Sequence, residues 1–296
     1  MDAVSTNRPA PNWARWALWP AIYLALRLAA PFIRMPHPAL GNLVATIVFL
    51  LLPLLWLRTI SVGKVHPAVG VALFLVFAVV WGELVLGMPF GVLAHVPWKA
   101  HPMALDALRL TFRPFGDVAL ITAAALLGAA LAGIISDPKM LLPVALVGGL
   151  VDYWGVYYGT THAFLQAAPD FVRSASVGIP SFGGGFTATG LRPVSFVGFG
   201  DWVFLAMFLT VAARYDLSPR RTFWVLLGFL VPAMLLVLFG VVDTLPAVVP
   251  MALAIFTVNG RRLKLSRSEA LSTLIAVALV VCAIAAYMLA LQRLHH

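Results

Sequence analysis

Apolar runs close to the thickness of a bilayer recur along this sequence, and they leave few folds open to it. An α-helix rises about 1.5 Å per residue, so about 20 residues cross a hydrocarbon core of about 30 Å. Short links with Pro, Gly, Arg and Lys separate the runs, and 10 % of the residues are charged against 62 % hydrophobic. A water-soluble chain carries about a quarter charged residues. The sequence therefore predicts an all-α, polytopic transmembrane helical bundle of about nine spans, at about 16–33, 38–57, 66–87, 115–135, 140–161, 194–213, 222–242, 245–257 and 269–291.

Three segments depart from this pattern. The run 245–257 is too short to cross a bilayer, and Pro246 and Pro250 predict a broken helix, because proline removes a helical hydrogen bond. Broken backbone at membrane depth is buried in protein or lines a wet cavity, so this run is a candidate wall of a site. Residues 96–114 fit either an interfacial amphipathic helix or a solvated linker. The glycine-rich stretch 178–190 predicts a loop or a short extended strand.

The net charge of +9 has a topological explanation. The basic residues are scattered through short links without a basic stripe or an RNA-binding motif, so we expect no nucleic-acid partner. Lys and Arg are in excess at the N-terminus and in the links after the second, fourth, sixth and eighth spans. The positive-inside rule then places the N-terminus in the cytoplasm and stretch 178–190 outside. Because the sequence has no Asn-x-Ser/Thr glycosylation site, we expect a multi-pass integral protein of a prokaryotic plasma membrane.

Ionisable side chains inside the apolar runs are the candidates for function, because they are costly at membrane depth. Five acids qualify: Glu83, Asp117, Asp152, Asp201 and Asp243. Asp117 and Asp243 lie near predicted helix ends, where a cap or a solvated carboxylate is expected. Glu83 lies deeper but has no evident partner. Asp152 and Asp201 therefore remain as the candidates for chemistry.

Asp152 and Asp201 occupy glycine-lined stretches of consecutive, antiparallel spans. The neighbouring glycines are Gly148, Gly155 and Gly159 on the helix face of Asp152, and Gly198 and Gly200 before Asp201. Such small faces let helices approach closely. Counted from the predicted span ends, Asp152 lies about 13 Å and Asp201 about 10 Å below the same membrane face. Two neighbouring carboxyl groups cannot both ionise, so one can serve as general acid and the other as general base.

Three motifs around these acids resemble the presenilin and signal peptide peptidase family. Gly198-Phe199-Gly200-Asp201 resembles the Gly-x-Gly-Asp motif, and Arg214-Tyr215-Asp216 follows it as in signal-peptide-peptidase-like members. The sequence DYWGVYYGT, which starts at Asp152, resembles the first catalytic helix, and LPAVVP at 245–250 resembles the Pro-Ala-Leu segment. Val151 stands where the family usually has Tyr, and Val248 replaces the Leu. The family has five spans before the first catalytic helix and ends on the Pro-Ala-Leu helix, whereas we count four before and one extra after.

The resemblance implies a presenilin-like intramembrane aspartyl protease. Asp152 and Asp201 would activate water and protonate the leaving amide, without a cofactor, in or next to transmembrane helices of membrane-protein or signal-peptide substrates. Gly198 and Gly200 would allow close approach, and Pro246, Ala247 and Val248 would offer backbone to the unwound substrate. The chain then divides into N-terminal helices (1–139), a catalytic core (140–260) and a C-terminal helix (261–296).

Three other functions stay open at this stage. A prepilin-type peptidase shares Gly-x-Gly-Asp, but its usual cation after the motif and its Cys pair have no counterpart here, where Trp202 follows and one cysteine is present. A proton- or ion-coupled transporter would use the same intramembrane carboxylates as a relay. An inert relative would bind membrane helices without cleaving them. The seven histidines show no metal-ligand spacing, so no metal site is expected.

Overall fold

The structure of the protein, a computed structural model, describes residues 13–63, 66–82, 102–159, 163, 167, 172–173, 175–182, 186–187, 190–191 and 193–294. These residues form nine α-helices: α1 (Trp13–Ala29), α2 (Pro38–Val62), α3 (Pro67–Trp81), α4 (Pro102–Ala132), α5 (Leu141–Tyr157), α6 (Phe199–Arg214), α7 (Pro219–Leu238), α8 (Val248–Asn259) and α9 (Arg267–Leu294). Four of them begin with proline, whose missing N–H is not needed in a first turn. Single turns of 3₁₀ helix follow α1 (Ala30–Phe32) and precede α5 (Pro138–Met140).

Five of the described helices are long and apolar enough to cross a membrane: Pro38–Val62, Arg113–Ala132, Pro138–Tyr157, Pro219–Leu238 and Arg267–Ala290. Three shorter helices are apolar as well: Trp16–Phe32, Pro67–Trp81 and Val248–Asn259. The chain is therefore a predominantly helical protein with the helices of a membrane protein. Every predicted span contains a described helix, but α1, α3, α6 and α8 have only 17, 15, 16 and 12 residues.

The centre of the fold is formed by α2, α4 and α6, which pack against one another. In the most apolar stretch of α4, 67 % of the residues are buried, whereas only 6 % are buried in α9, which packs along α5. A Cβ atom on Gly128 of α4 would lie 2.7 Å from the Cβ of Ala206 and 2.9 Å from the backbone nitrogen of Met207. The missing side chain thus lets α4 approach the backbone of α6. The helix that carries Asp201 is held directly by helices from the first 139 residues.

Two antiparallel strand pairs lie between α5 and α6. Strand β1 (Ser176–Pro180) pairs with β4 (Pro193–Gly198), and β2 (Phe186–Thr187) pairs with β3 (Gly190–Leu191). The glycine-rich stretch thus contains extended strands, one of the two forms predicted for it. The prediction that the sixth span begins at 194 is wrong, because β4 occupies these positions and α6 begins only after Gly198. Burial alternates along positions 195, 196 and 197, which has the period of a strand.

Helix α4 also differs from its prediction, because it begins at Pro102 and continues through the fourth predicted span. Positions 102–114 are therefore the first turns of a long helix and form neither a separate amphipathic helix nor a linker. Pro114 lies inside this helix, where it removes a single N–H donor. Residues 96–101 and Glu83 lie outside the described residues.

The residues that end α6 bind the region that ends α4. Arg214 donates through Nη1 to the Ala132 carbonyl at 3.1 Å, and the Tyr215 hydroxyl donates to the Ile135 carbonyl at 2.7 Å. Carbonyl groups at a helix C-terminus have no partner within the helix, so these bonds satisfy them. Asp216 follows with φ of 50°, a left-handed conformation that Asp tolerates. Arg214 and Tyr215 thus have a structural role in this chain, because they fix the end of α6 against the end of α4.

Candidate active site at Asp152 and Asp201

Asp152 lies on α5, five residues before the helix ends at Tyr157, and its side chain is partly exposed. Its Oδ2 atom accepts a hydrogen bond of 2.9 Å from the N–H of Val248, the first residue of α8. The first N–H groups of a helix have no partner within the helix. Asp152 therefore caps α8 from a neighbouring helix, where the helix dipole also favours a negative charge.

Glycines bring α5 close to the helices that surround the site. A Cβ atom on Gly148 would lie 2.9 Å from Cε1 of Phe204 in α6 and 3.6 Å from Cγ1 of Val248. A Cβ atom on Gly149 would lie 3.8 Å from Cγ2 of Val249, an ordinary van der Waals separation. The Phe204 ring of α6 thus fills the space beside Gly148, whereas α8 packs along α5.

Asp201 is the third residue of α6, and the residue is partly buried. Its Oδ2 atom accepts a hydrogen bond of 3.0 Å from the N–H of Gly198, directly before the helix. A Cβ atom on Gly198 would lie 3.3 Å from this oxygen, whereas one on Gly200 would meet no atom within 4 Å. Phe199 packs against the core between them. The two glycines of the motif thus differ: the first holds the carboxyl group, and the second leaves space open beside it.

The carboxyl groups of Asp152 and Asp201 lie in the same region of the fold. They lie within range of direct electrostatic interaction, and each binds one backbone N–H through Oδ2. Among the described residues, no hydrogen bond joins Asp152 to Asp201, and none engages the Oδ1 atom of either. At about 1.5 Å per residue, Asp152 lies about 7.5 Å from the end of α5 and Asp201 about 3 Å from the start of α6. The offset is less than one helical turn, although both acids lie nearer to a helix end than expected.

The segment Pro246-Ala247-Val248 is buried, with Val248 as the first residue of α8. The carbonyls of Pro246 and Ala247 accept hydrogen bonds of 3.3 Å from the N–H groups three and four positions along, and the Val248 N–H binds Asp152. Proline itself has no N–H. The sequence led us to expect that this segment presents exposed backbone to a substrate. In this structure it is buried and its backbone groups have partners within the protein. It forms a wall of the site and orients Asp152.

The predicted break in run 245–257 lies at one end of it. Pro250 falls in the first turn of α8, where its missing N–H interrupts no helical hydrogen bond, so only the backbone around Pro246 is non-helical. The 12 residues of α8 rise about 18 Å, which is too short to cross a bilayer. The Tyr157 hydroxyl donates to the Thr244 carbonyl at 3.2 Å and ties the start of the segment to α5.

Asp117 is the centre of a buried ion cluster, and the prediction of a cap or a solvated carboxylate is wrong for it. The residue is 1 % exposed. Arg27 of α1 binds its Oδ2 atom through Nη2 at 3.0 Å and Nε at 3.1 Å, and the Nε atom of Arg113 lies 3.4 Å from Oδ1. The sequence signal was Arg27 itself, a cation within an apolar run without a counter-charge nearby. Asp243, by contrast, is exposed, as expected for a solvated carboxylate.

Within the described parts of the chain, no group of three His, Cys, Asp or Glu side chains could hold a metal ion. Neither a protein-family model nor a curated protein nor a solved structure matches the chain. Its function therefore has to be inferred from the chemistry of the site.

Proposed function

We propose that this chain is a multi-pass intramembrane aspartyl protease, an aspartic endopeptidase of the Gly-x-Gly-Asp type, in a prokaryotic plasma membrane. One observation carries the proposal: Asp152 and Asp201 lie on separate helices within electrostatic range, both residues are partly exposed, and each carboxyl group is oriented by a backbone N–H. The substrates are transmembrane helices of membrane proteins or signal peptides, and no cofactor takes part.

The chemistry follows from the pairing of like charges. Two adjacent carboxyl groups share one proton, so one is ionised while the other is protonated. The ionised group takes a proton from a water molecule as the water oxygen attacks the scissile carbonyl carbon. The protonated group then gives its proton to the departing amide nitrogen, and a new carboxyl and a new amine result. The N–H bonds to Oδ2 fix the direction of both groups and leave Oδ1 to face the water.

The substrate strand binds next to Asp201 in this proposal. A helical peptide bond has to unwind before hydrolysis, and the freed backbone groups need new partners at membrane depth. In a two-stranded sheet each strand keeps one edge without a strand partner. Strand β1 is buried along its whole length, whereas β4 exposes Phe196 and leads directly into the Gly-x-Gly-Asp motif. The outer edge of β4 and the open space at Gly200 support binding of an unwound strand there.

Cleavage by the purified protein in liposomes tests the proposal. A synthetic transmembrane peptide is added, and its fragments are identified by mass spectrometry. We expect internal cleavage by the wild type, none by Asp152→Asn or Asp201→Asn, and full cleavage by the control Asp243→Asn, which alters an exposed acid.

Two results would contradict the proposal. Fragments that persist in either dyad variant would remove the shared catalytic role of the aspartates. Proton flux through wild-type liposomes that depends on Asp152 and Asp201, without any fragments, would instead establish the ion-coupled transporter.

A further inference from the structure

A chain of polar contacts runs from the buried ion cluster to Asp201. Asp117 binds Arg27 through one carboxylate oxygen and Arg113 through the other. Arg113 lies one helical turn before Asp117 on α4, so both are held on one rigid element. Burying Arg27 and Asp117 is expensive, and a buried ion pair of this kind can fix one arrangement of the chain. The cluster also orients the Arg113 guanidinium, whose Nη2 atom makes hydrogen bonds outside the cluster.

Arg113 reaches from α4 to the start of the β1–β4 hairpin. Its Nη2 atom donates to the carbonyl of Arg173 at 2.7 Å and to the carbonyl of Ser176 at 2.8 Å. The guanidinium is planar and its donors form a rigid fork. Because Nε lies against Asp117, the plane of the fork is fixed and Nη2 is aimed at the two carbonyls. A lysine has one ammonium group at this position and cannot hold all three acceptors in the same way.

The Ser176 carbonyl and the Gly198 N–H belong to the same rung of the β1–β4 ladder, because Ser176 pairs with Gly198. The adjacent rung is hydrogen-bonded, since the Phe199 N–H donates to the Ala175 carbonyl at 3.3 Å. Residues in an antiparallel pair alternate between hydrogen-bonded and non-bonded rungs, and at a non-bonded rung the polar groups point outwards. One outward group, the Ser176 carbonyl, binds Arg113, and the other, the Gly198 N–H, binds Asp201.

We infer that Arg113 is a positioning residue for Asp201, and that Asp117 and Arg27 hold it in place. The inference rests on the proposed protease function. Arg113 fixes one edge of the rung, and the opposite edge of that rung holds the Asp201 carboxyl group. Without the fork, the end of the hairpin is free to shift relative to α4, and Asp201 moves with it. The rungs further along β4, where we place the substrate strand, keep their pairing with β1. Substrate affinity therefore changes less than the alignment of the reacting groups.

Two measurements on Arg113→Met test this inference: the kinetics of peptide cleavage, and amide hydrogen exchange over residues 193–201 in the full chain. We expect kcat to fall about 10- to 100-fold with a much smaller change in KM, since a displacement of about 1 Å costs about that much in rate. Exchange at the β4 end should rise, while exchange in α7 stays as in the wild type. Arg113→Lys should recover part of kcat. The control Lys139→Gln, which breaks the half-exposed pair with Glu269, should change neither reading.

Several results would overturn the inference. Arg113→Met would contradict it by keeping the wild-type kcat, or by raising KM while kcat stays unchanged. Equal increases in hydrogen exchange in β4 and α7 would contradict it as well. If Arg113→Met does not fold, cleavage kinetics and hydrogen exchange are measured on Asp117→Asn and Arg113→Lys instead, with the same expected changes. If the wild type cleaves no peptide, the proposed function fails, and the exchange reading still decides whether Arg113 holds the end of β4.

Discussion

The substitution Gly148→Ala tests whether the contact between Gly148 of α5 and the Phe204 ring of α6 sets the geometry of the dyad. The added Cβ atom would lie 2.9 Å from Cε1 of Phe204, whereas carbon atoms in contact are about 3.5–4.0 Å apart. The overlap of about 0.6–1.1 Å has to be relieved by a ring rotation or by a shift of α5. Overpacking of this size destabilises a fold by about 1–3 kcal/mol. Because Asp152 lies one turn after Gly148, a shift of about 1 Å should lower kcat/KM about 100-fold.

The assay compares kcat/KM for a transmembrane peptide with the thermal unfolding midpoint of each variant in detergent. Gly149→Ala is the matched control, because its Cβ atom would meet Val249 only at 3.8 Å; we expect activity close to the wild type. Phe204→Leu removes the ring atom that clashes, so the double variant Gly148→Ala/Phe204→Leu should recover most of the activity. Wild-type kcat/KM in Gly148→Ala, or an equal loss in Gly149→Ala, would refute the reasoning.

Three further predictions concern the orientation in the membrane, the contact between α4 and α6, and the role of Pro246. Cysteines placed within 174–193 should react with an impermeant thiol reagent from outside and those within 261–267 should not, because the second link is rich in Lys and Arg; the reverse labelling would invert the topology. Gly128→Ala should destabilise the protein by about 1–3 kcal/mol, measured by thermal unfolding, whereas Gly228→Ala, whose Cβ atom would meet nothing within 4 Å, should not; equal effects would contradict the tight α4–α6 contact. Pro246→Leu should weaken binding of a compact transition-state mimic as much as it slows peptide cleavage, because the segment orients the dyad; loss of cleavage alone would restore its expected role in substrate binding.

The helices were predictable because their signal is local. Each apolar run is long, and the breaks between the runs contain Pro, Gly or charged residues. The sequence predicts that Asp152 and Asp201 lie near each other for a related reason. Consecutive antiparallel spans bring acids close to the same membrane face to a similar depth. The glycines on the face of Asp152 likewise predict a close neighbour at Gly148, which is the Phe204 ring of α6.

The errors arose where a contact between distant segments decides the outcome. The sequence places residues 194–198 in the sixth span because no charged residue separates them from α6. Their extended conformation depends on pairing with β1, a segment that precedes them by more than ten residues. The position of Asp117 near a predicted span end favours a cap or a solvated carboxylate, but its partner Arg27 is 90 residues away along the chain. The backbone of Val248 was expected to be free, but its N–H binds a carboxylate 96 residues earlier. None of these partners can be read from local periodicity.

The coupling between Asp152→Asn and Asp201→Asn in cleavage of a transmembrane peptide tests the central claim most directly. The measurement is kcat/KM for the wild type, for both single variants and for the double variant, each shown to be folded by its thermal unfolding midpoint. If the two carboxyl groups act as one unit on one water molecule, each single variant is as inactive as the double variant. Substantial cleavage by either single variant, or losses that add in the double variant, would contradict the dyad.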